Sequence, residues 1–152
     1  MPDAGVLTLK MRRVLPATRP MVFGAFTDPD RLAHWWGPVG FTVPSVTLHA
    51  RVGAPYRIEM QPPDGDAFHL TGEFREVDPP ARLAYTFMWE PPDPEDVETL
   101  VELSFGARDE ATEVLFTQGI FKTEPRRELH ERGWTDTFDR LERYIRTSAP
   151  AS

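Results

Sequence analysis

The residues able to do chemistry are few and scattered. Four histidines, His34, His49, His69 and His130, lie far apart, and none has a second histidine one helical turn away, so no two-histidine metal pair is present. The chain has no cysteine, which removes disulfides, thiol nucleophiles, redox pairs and cysteine-held zinc or iron–sulfur centres together. No Ser-His-Asp arrangement, Gly-x-Ser-x-Gly elbow or phosphate-cradling glycine loop occurs. The expectation is therefore no metal, no cofactor and no assigned catalytic residue. Glu59, Glu73, Glu102 and Glu113 fall on the polar phase of strand-like segments, which predicts a solvated face with pairing among Arg57, Glu59, Glu73, Arg75 and Glu102. A carboxylate turned inward instead would have its pKa raised by burial and become an acid–base candidate. His69, between Phe68 and Leu70, is expected to face solvent.

Large apolar side chains are abundant by comparison. Phe74, Tyr85, Phe87, Trp89, Phe105, Phe116, Trp134 and Phe138 recur at strand or helix spacing, which makes them core residues by default. Aromatic side chains also line ligand pockets, so the same residues, with Trp35, Trp36, Phe41 and Met60, are the candidates for a cavity wall. Met60 is a flexible filler suited to variable contents. Trp35 and Trp36 are adjacent, and adjacent helical positions point about 100° apart. One small core is not expected to hold both, and the second indole is expected at a cavity entrance.

The elements that must position these residues can be read in order. VLTLKMRRV, residues 6 to 14, reads as a strand ended by Pro16. Thr18 can cap a short helix through RPMVFGAF, and Asp28-Pro29 opens a second of about two turns, stopped by Gly37-Pro38. From residue 41 the period changes to two. Phe41, Val43, Val46 and Leu48, then Tyr56, Ile58 and Met60, then Phe68 to Phe74 alternate with polar residues, and Asp64-Gly65 suits a tight hairpin turn. Leu83, Tyr85, Phe87 and Trp89 form the next strand. EPPDPEDVE, residues 90 to 98, carries three prolines and five acids and cannot join a ladder; an exposed loop able to serve as a lid is expected. Strands over 99 to 107 and 113 to 120 follow. TEPRRELHERGWTDTFDRLERYIRTS then predicts a helix over 124 to 146, with Leu129, Trp134, Phe138, Leu141 and Ile145 on one stripe. Gly133 in its middle costs roughly 1 kcal/mol against alanine and implies a close approach or a pocket.

The formal charge is −7 over 152 residues, with the basic residues dispersed, which disfavours nucleic acid and anionic membranes as partners. No apolar segment reaches the ~20 residues needed to cross a bilayer, and the first fifteen residues lack a signal-like pattern. A single cytoplasmic domain over 1–152 is the expectation, with a core at about 6–146 and a flexible tail at 147–152.

VFGAFTDPDRLAHWWGPVGF, RVGAPYRIEM, EVDPPARLAYTF and LHERGWTDTFDRLERYI, in that order, resemble the homologues of the heat-shock-protein-90 ATPase activator carboxy-terminal domain, within the START-like (SRPBCC) superfamily. Gly53-Ala54 departs from the two glycines usual there. The resemblance implies an α+β helix-grip fold like that of the birch-pollen allergen: a curved antiparallel sheet of about seven strands, two short helices and a long C-terminal helix, with a hydrophobic cavity between sheet and helix. It leaves three functions open. The first is a binding domain for an unidentified small hydrophobic molecule. The second is a polyketide-cyclase-like enzyme, with Tyr85, His69 or a buried carboxylate moving a proton on a carbonyl compound. The third is a module that contacts a chaperone, ranked below both because that activator carries an additional amino-terminal domain for which this chain has no room. Monomer and homodimer are compatible with all three.

Overall fold

The computed structural model describes residues 7–148. The chain order is β1 (Leu9–Leu15), α1 (Arg19–Thr27), α2 (Pro29–Leu32), β2 (Thr42–Leu48), β3 (Pro55–Gln61), β4 (Phe68–Asp78), β5 (Arg82–Glu90), β6 (Thr99–Arg108), β7 (Ala111–Gly119) and α3 (Glu124–Ser148). All seven strands join one antiparallel sheet in the order β1-β7-β6-β5-β4-β3-β2. Six consecutive strands thus run as a meander and β1 closes against β7. This is the helix-grip architecture, with α3, about 37 Å long at 1.5 Å per residue, across the concave face.

Alternation explains the sheet. On β3, Tyr56, Ile58 and Met60 are buried while Pro55 and Arg57 are exposed. On β6, Val101, Leu103 and Phe105 point inward, and on β7 Val114 and Phe116 do the same. β3 and β4 are joined by a longer loop, residues 62–67, instead of the tight turn expected at Asp64-Gly65; within it Gly65 takes a positive φ, +109°, and Asp64 does not. Gly53, at φ +88°, needs its lack of a side chain, whereas Ala54 has an ordinary φ, so the methyl group there is tolerated.

β4 and β5 approach unusually closely at Gly72. A Cβ built on Gly72 would lie 1.9 Å from the Thr86 carbonyl oxygen and 2.6 Å from the Tyr56 ring. The β4–β5 ladder lapses here, between the pairs Thr71–Met88 and Phe74–Tyr85, and shifts register just beyond. The Thr86 hydroxyl replaces a ladder bond by accepting from the Glu73 amide at 2.9 Å, and the Thr86 carbonyl accepts from the Tyr56 hydroxyl.

Several expectations are corrected. Val6 and residues 149–152 lie outside the described residues, and α3 runs through residues 147 and 148 instead of ending at 146. β6 and β7 meet in a tight turn at Asp109-Glu110, and β7 ends at Gly119. Thr18 occupies the position before α1 but its side chain caps nothing. Asp28 does cap α2, accepting from the Asp30 amide at 2.9 Å. That helix is one turn, not two. Residues 33–36 continue as tight turns, with the Trp35 and Trp36 amides both bonded to the Leu32 carbonyl, until Gly37 reverses the chain at φ +97°. Both indoles are buried, Trp35 at 0 % and Trp36 at 4 % exposure, but they diverge: Trp35 packs into the core against Phe26, and Trp36 faces Trp134 on the inner side of the cavity instead of at its entrance. Arg140 of α3 fixes this corner by donating to the carbonyls of Trp36, Gly37 and Pro38 at 2.9 to 3.1 Å. The surface charges also pair differently from expectation: Arg57 reaches Glu90 and the Ser45 hydroxyl donates to Glu59, while Glu73 and Arg75 are 3.9 Å apart along one strand.

Candidate functional site

The segment after α2 (residues 36–41), strands β3 to β5, the loop after β5 and the first half of α3 enclose a pocket of about 560 Å³. Its inner wall is Trp36, Met60, Phe87 and Trp134, all buried, with Phe41, Phe68 and Trp89 beside them. The exposed residues Pro91, Asp93, Leu129 and Arg132 ring the opening. Rings meet largely edge to face: Trp36 on Trp134 at 5.3 Å, Phe68 on Trp89 at 5.3 Å and Phe87 on Trp89 at 5.1 Å between centroids. The wall therefore offers several aromatic faces and edges to a flat guest.

Six of the twelve wall candidates meet here: Trp36, Phe41, Met60, Phe87, Trp89 and Trp134. The other six do not. Trp35 packs edge-on to Phe26 and donates its indole N–H to the Ala25 carbonyl. Phe105 lies against Phe23 and Phe26, and Phe116 and Phe138 back Trp134 from the core side. Phe74 and Tyr85 border a separate small void. Gly133 has no close neighbour that would demand a glycine; a Cβ there would meet only Pro38, at 4.0 Å, and otherwise the pocket.

The polar side chains on the wall were not singled out from sequence. His130, buried at 7 % exposure, occupies the stripe one turn before Trp134, while Leu129, expected on that stripe, is 44 % exposed at the mouth. The ring of His130 is held at both nitrogens. Nδ1 lies 2.8 Å from the Arg126 carbonyl, which can only accept, and Nε2 lies 3.1 Å from the Trp89 indole nitrogen, which can only donate. The imidazole is therefore neutral, protonated on Nδ1, with its one lone pair already used.

Burial lowers the His130 pKa, reinforced by the Arg126 charge and opposed by the Arg126 carbonyl and by Asp96. A histidine whose folded pKa lies below its unfolded value near 6.5 leaves stability undiminished above that value. Stability then falls as the pH drops through 6.5 toward the folded value, because the unfolded chain binds the proton first. The expected result is a declining urea midpoint between pH 7.5 and pH 5.5, followed at lower pH by a change in native-state tryptophan emission as the folded imidazole is protonated and the Trp89 bond breaks. Both should be blunted in His130→Gln, and an equal decline in that variant would assign the effect elsewhere.

The 91–98 segment closes one side of the opening. Asp96, its side chain 4 % exposed, pairs with Arg126 of α3, and Lys122 donates to the Pro94 carbonyl at 3.0 Å. Within the loop the Asp96 carboxylate accepts from the Asp93 amide at 2.7 Å. Arg126 Nε is buried without an acceptor among the described residues. The loop is thus a strap fastened at two points, to Arg126 on the first turn of α3 and to Lys122 in the segment just before it. Among the described residues no three His, Asp or Glu converge to hold a metal, and no helix is long and apolar enough to cross a membrane.

Comparison with known structures supports the topology. Protein CV1439 from Chromobacterium violaceum matches with a TM-score of 0.81 at 26% identity, covering 91% of this chain and 96% of that one. The AHSA1 protein from Silicibacter pomeroyi has a TM-score of 0.81 at 23% identity, over 92% and 98% of the two chains. DynU16, a protein of the dynemicin biosynthetic locus, has a TM-score of 0.76 at 25% identity; the match spans 98% of this chain and 49% of DynU16. No protein of curated function matches. The family model described as Activator of Hsp90 ATPase homolog 1-like protein matches residues 16–146, and with that extent of the sequence, its motifs and its fold in agreement, the chain belongs to that family.

Proposed function

We propose that the protein binds a small, flat, largely apolar molecule in the pocket between sheet and α3, and that binding, without turnover, is its activity. The observation that carries this is the composition of the wall: six aromatic rings and Met60 around about 560 Å³, a volume suited to a small organic ligand. The two buried ionisable side chains on that wall, His130 and Asp96, are already engaged. His130 has both nitrogens engaged, and Asp96 is paired with Arg126. The similarity to DynU16 favours a small-molecule role over chaperone contact.

A cyclase-like reaction has less support. Tyr85 borders the separate small void, His69 is absent from the residues lining the pocket, and the lone pair of His130 is occupied. Proton transfer by a positioned base needs a free lone pair within reach of substrate.

Native mass spectrometry of freshly purified protein, compared with its denatured mass, tests the proposal. The expected result is a non-covalent small-molecule adduct, and, after its removal, quenching of tryptophan emission by biphenyl-sized probes with dissociation constants on the order of 10 µM. A protein with no adduct whose emission is indifferent to such probes would overturn it.

A further inference from the structure

The main pocket has a neighbour deeper along the same sheet. Along β3 the inward residues run Met60, Ile58, Tyr56, and along β5 they run Trp89, Phe87, Tyr85. Met60, Phe87 and Trp89 line the main pocket, whereas Ile58, Tyr56 and Tyr85 line the second void, one inward position, about 7 Å, further on. The second void is small, about 10 Å³, room for roughly one water. Its other walls are Phe26, Leu32, Leu48 and Phe74.

Two features distinguish this void from a packing defect. The Tyr85 hydroxyl is fully buried and has no hydrogen-bond partner among the described residues, although an unmatched buried hydroxyl is costly; the Tyr56 hydroxyl beside it is bonded to the Thr86 carbonyl. The second feature is Trp36, which borders both voids. Trp35, Trp89 and Trp134 each donate their indole N–H, to the Ala25 carbonyl, His130 and Gln118 respectively. Trp36 has no such tether to any described residue. Its backbone is clamped by Arg140, but its indole is held by ring packing alone.

We propose that Trp36 is a movable partition and that the void behind it is an inner subsite, where the Tyr85 hydroxyl donates a hydrogen bond to the leading oxygen of the ligand. This rests on the ligand-binding reading above and names the class of ligand: an elongated aromatic molecule ending in a neutral carbonyl. The walls of the inner void are apolar apart from two phenols, so a charged end group would be desolvated there without a counter-charge. Burial pushes the Tyr85 phenol up, so it remains a donor at any working pH.

The test compares 4-acetylbiphenyl with 4-isopropenylbiphenyl, in which a methylene replaces the carbonyl oxygen at nearly equal shape, on the wild type and on Tyr85→Phe. Tyr85→Phe removes only the unmatched hydroxyl, so its thermal midpoint should equal or exceed that of the wild type. Calorimetric titration should find the wild type preferring the ketone about three- to tenfold, the increment of one neutral hydrogen bond in a buried site. Tyr85→Phe should lose that preference and bind the isopropenyl compound unchanged. Equal affinity for both probes in both proteins, as when water alone serves the hydroxyl, would overturn the inner subsite while leaving the outer pocket intact. Binding of neither probe by the wild type would overturn the inner subsite, and, with no native adduct either, the ligand-binding reading itself.

Discussion

Gly72→Ala is expected to lower the stability of the protein by about 3 kcal/mol, or roughly 10 °C in thermal midpoint for a chain of this size. The added methyl group would sit 1.9 Å from the Thr86 carbonyl oxygen, and that atom belongs to the backbone of the neighbouring strand. No rotamer change relieves the overlap. β4 and β5 must separate, which breaks the Glu73 amide bond to Thr86 and the Tyr56 hydroxyl bond to the Thr86 carbonyl. Gly106→Ala is the matched control. It too is a strand glycine with ordinary φ, and its added Cβ would meet nothing nearer than the Glu113 carbonyl at 3.9 Å, so its midpoint should barely move. Thermal unfolding of the pair checks the expectation, and similar midpoints would show that the close approach at Gly72 is not needed.

The second large effect separates stability from binding. Gly133 lies in the middle of α3 with open pocket beside it, so Gly133→Leu should raise helix stability by about 1 kcal/mol while placing its side chain where a ligand would lie. Biphenyl-sized probes should bind at least about tenfold more weakly, a loss of about 1.4 kcal/mol or more. Gly133→Ala should keep most of the stabilisation and most of the affinity. Chemical denaturation together with fluorescence titration reads both quantities, and a variant that is stabilised yet binds undiminished would move the ligand site elsewhere.

The strands and the long helix were legible because periodicity reports burial, and Tyr56, Ile58 and Met60 on β3 or Trp134, Phe138, Leu141 and Ile145 on α3 follow it closely. The tryptophan corner was partly legible. The divergence of the two indoles follows from their adjacency, whereas the depth of Trp36 depends on the route after residue 36, which is fixed by Gly37 and by Arg140, a hundred residues away. The pocket was half legible for a similar reason. Alternation assigns Phe105, Phe116 and Phe87 alike to the inner face, but only the placement of the helices, α1 over Phe105 and α3 over Phe116, decides which of them is covered. The position of His130 was available, one turn before Trp134 on the apolar stripe. Residue type argued against it, and only the paired bonds to Trp89 and the Arg126 carbonyl explain how a polar ring can lie there.

The terminal strand of the sheet has a consequence for behaviour at high concentration. β2 ends the β1-β7-β6-β5-β4-β3-β2 order, so one of its sides has no strand partner within the sheet. A smooth edge of this kind would recruit the edge of another molecule and seed aggregates. Pro44 removes one donor from the middle of β2, the register breaks between Thr42 and Ser45, and four of the seven side chains are exposed and mostly polar. An incoming strand therefore finds neither an uninterrupted row of donors nor a constant register to follow. The irregularity of β2 thus keeps its end of the sheet, the one opposite β1, from templating assembly.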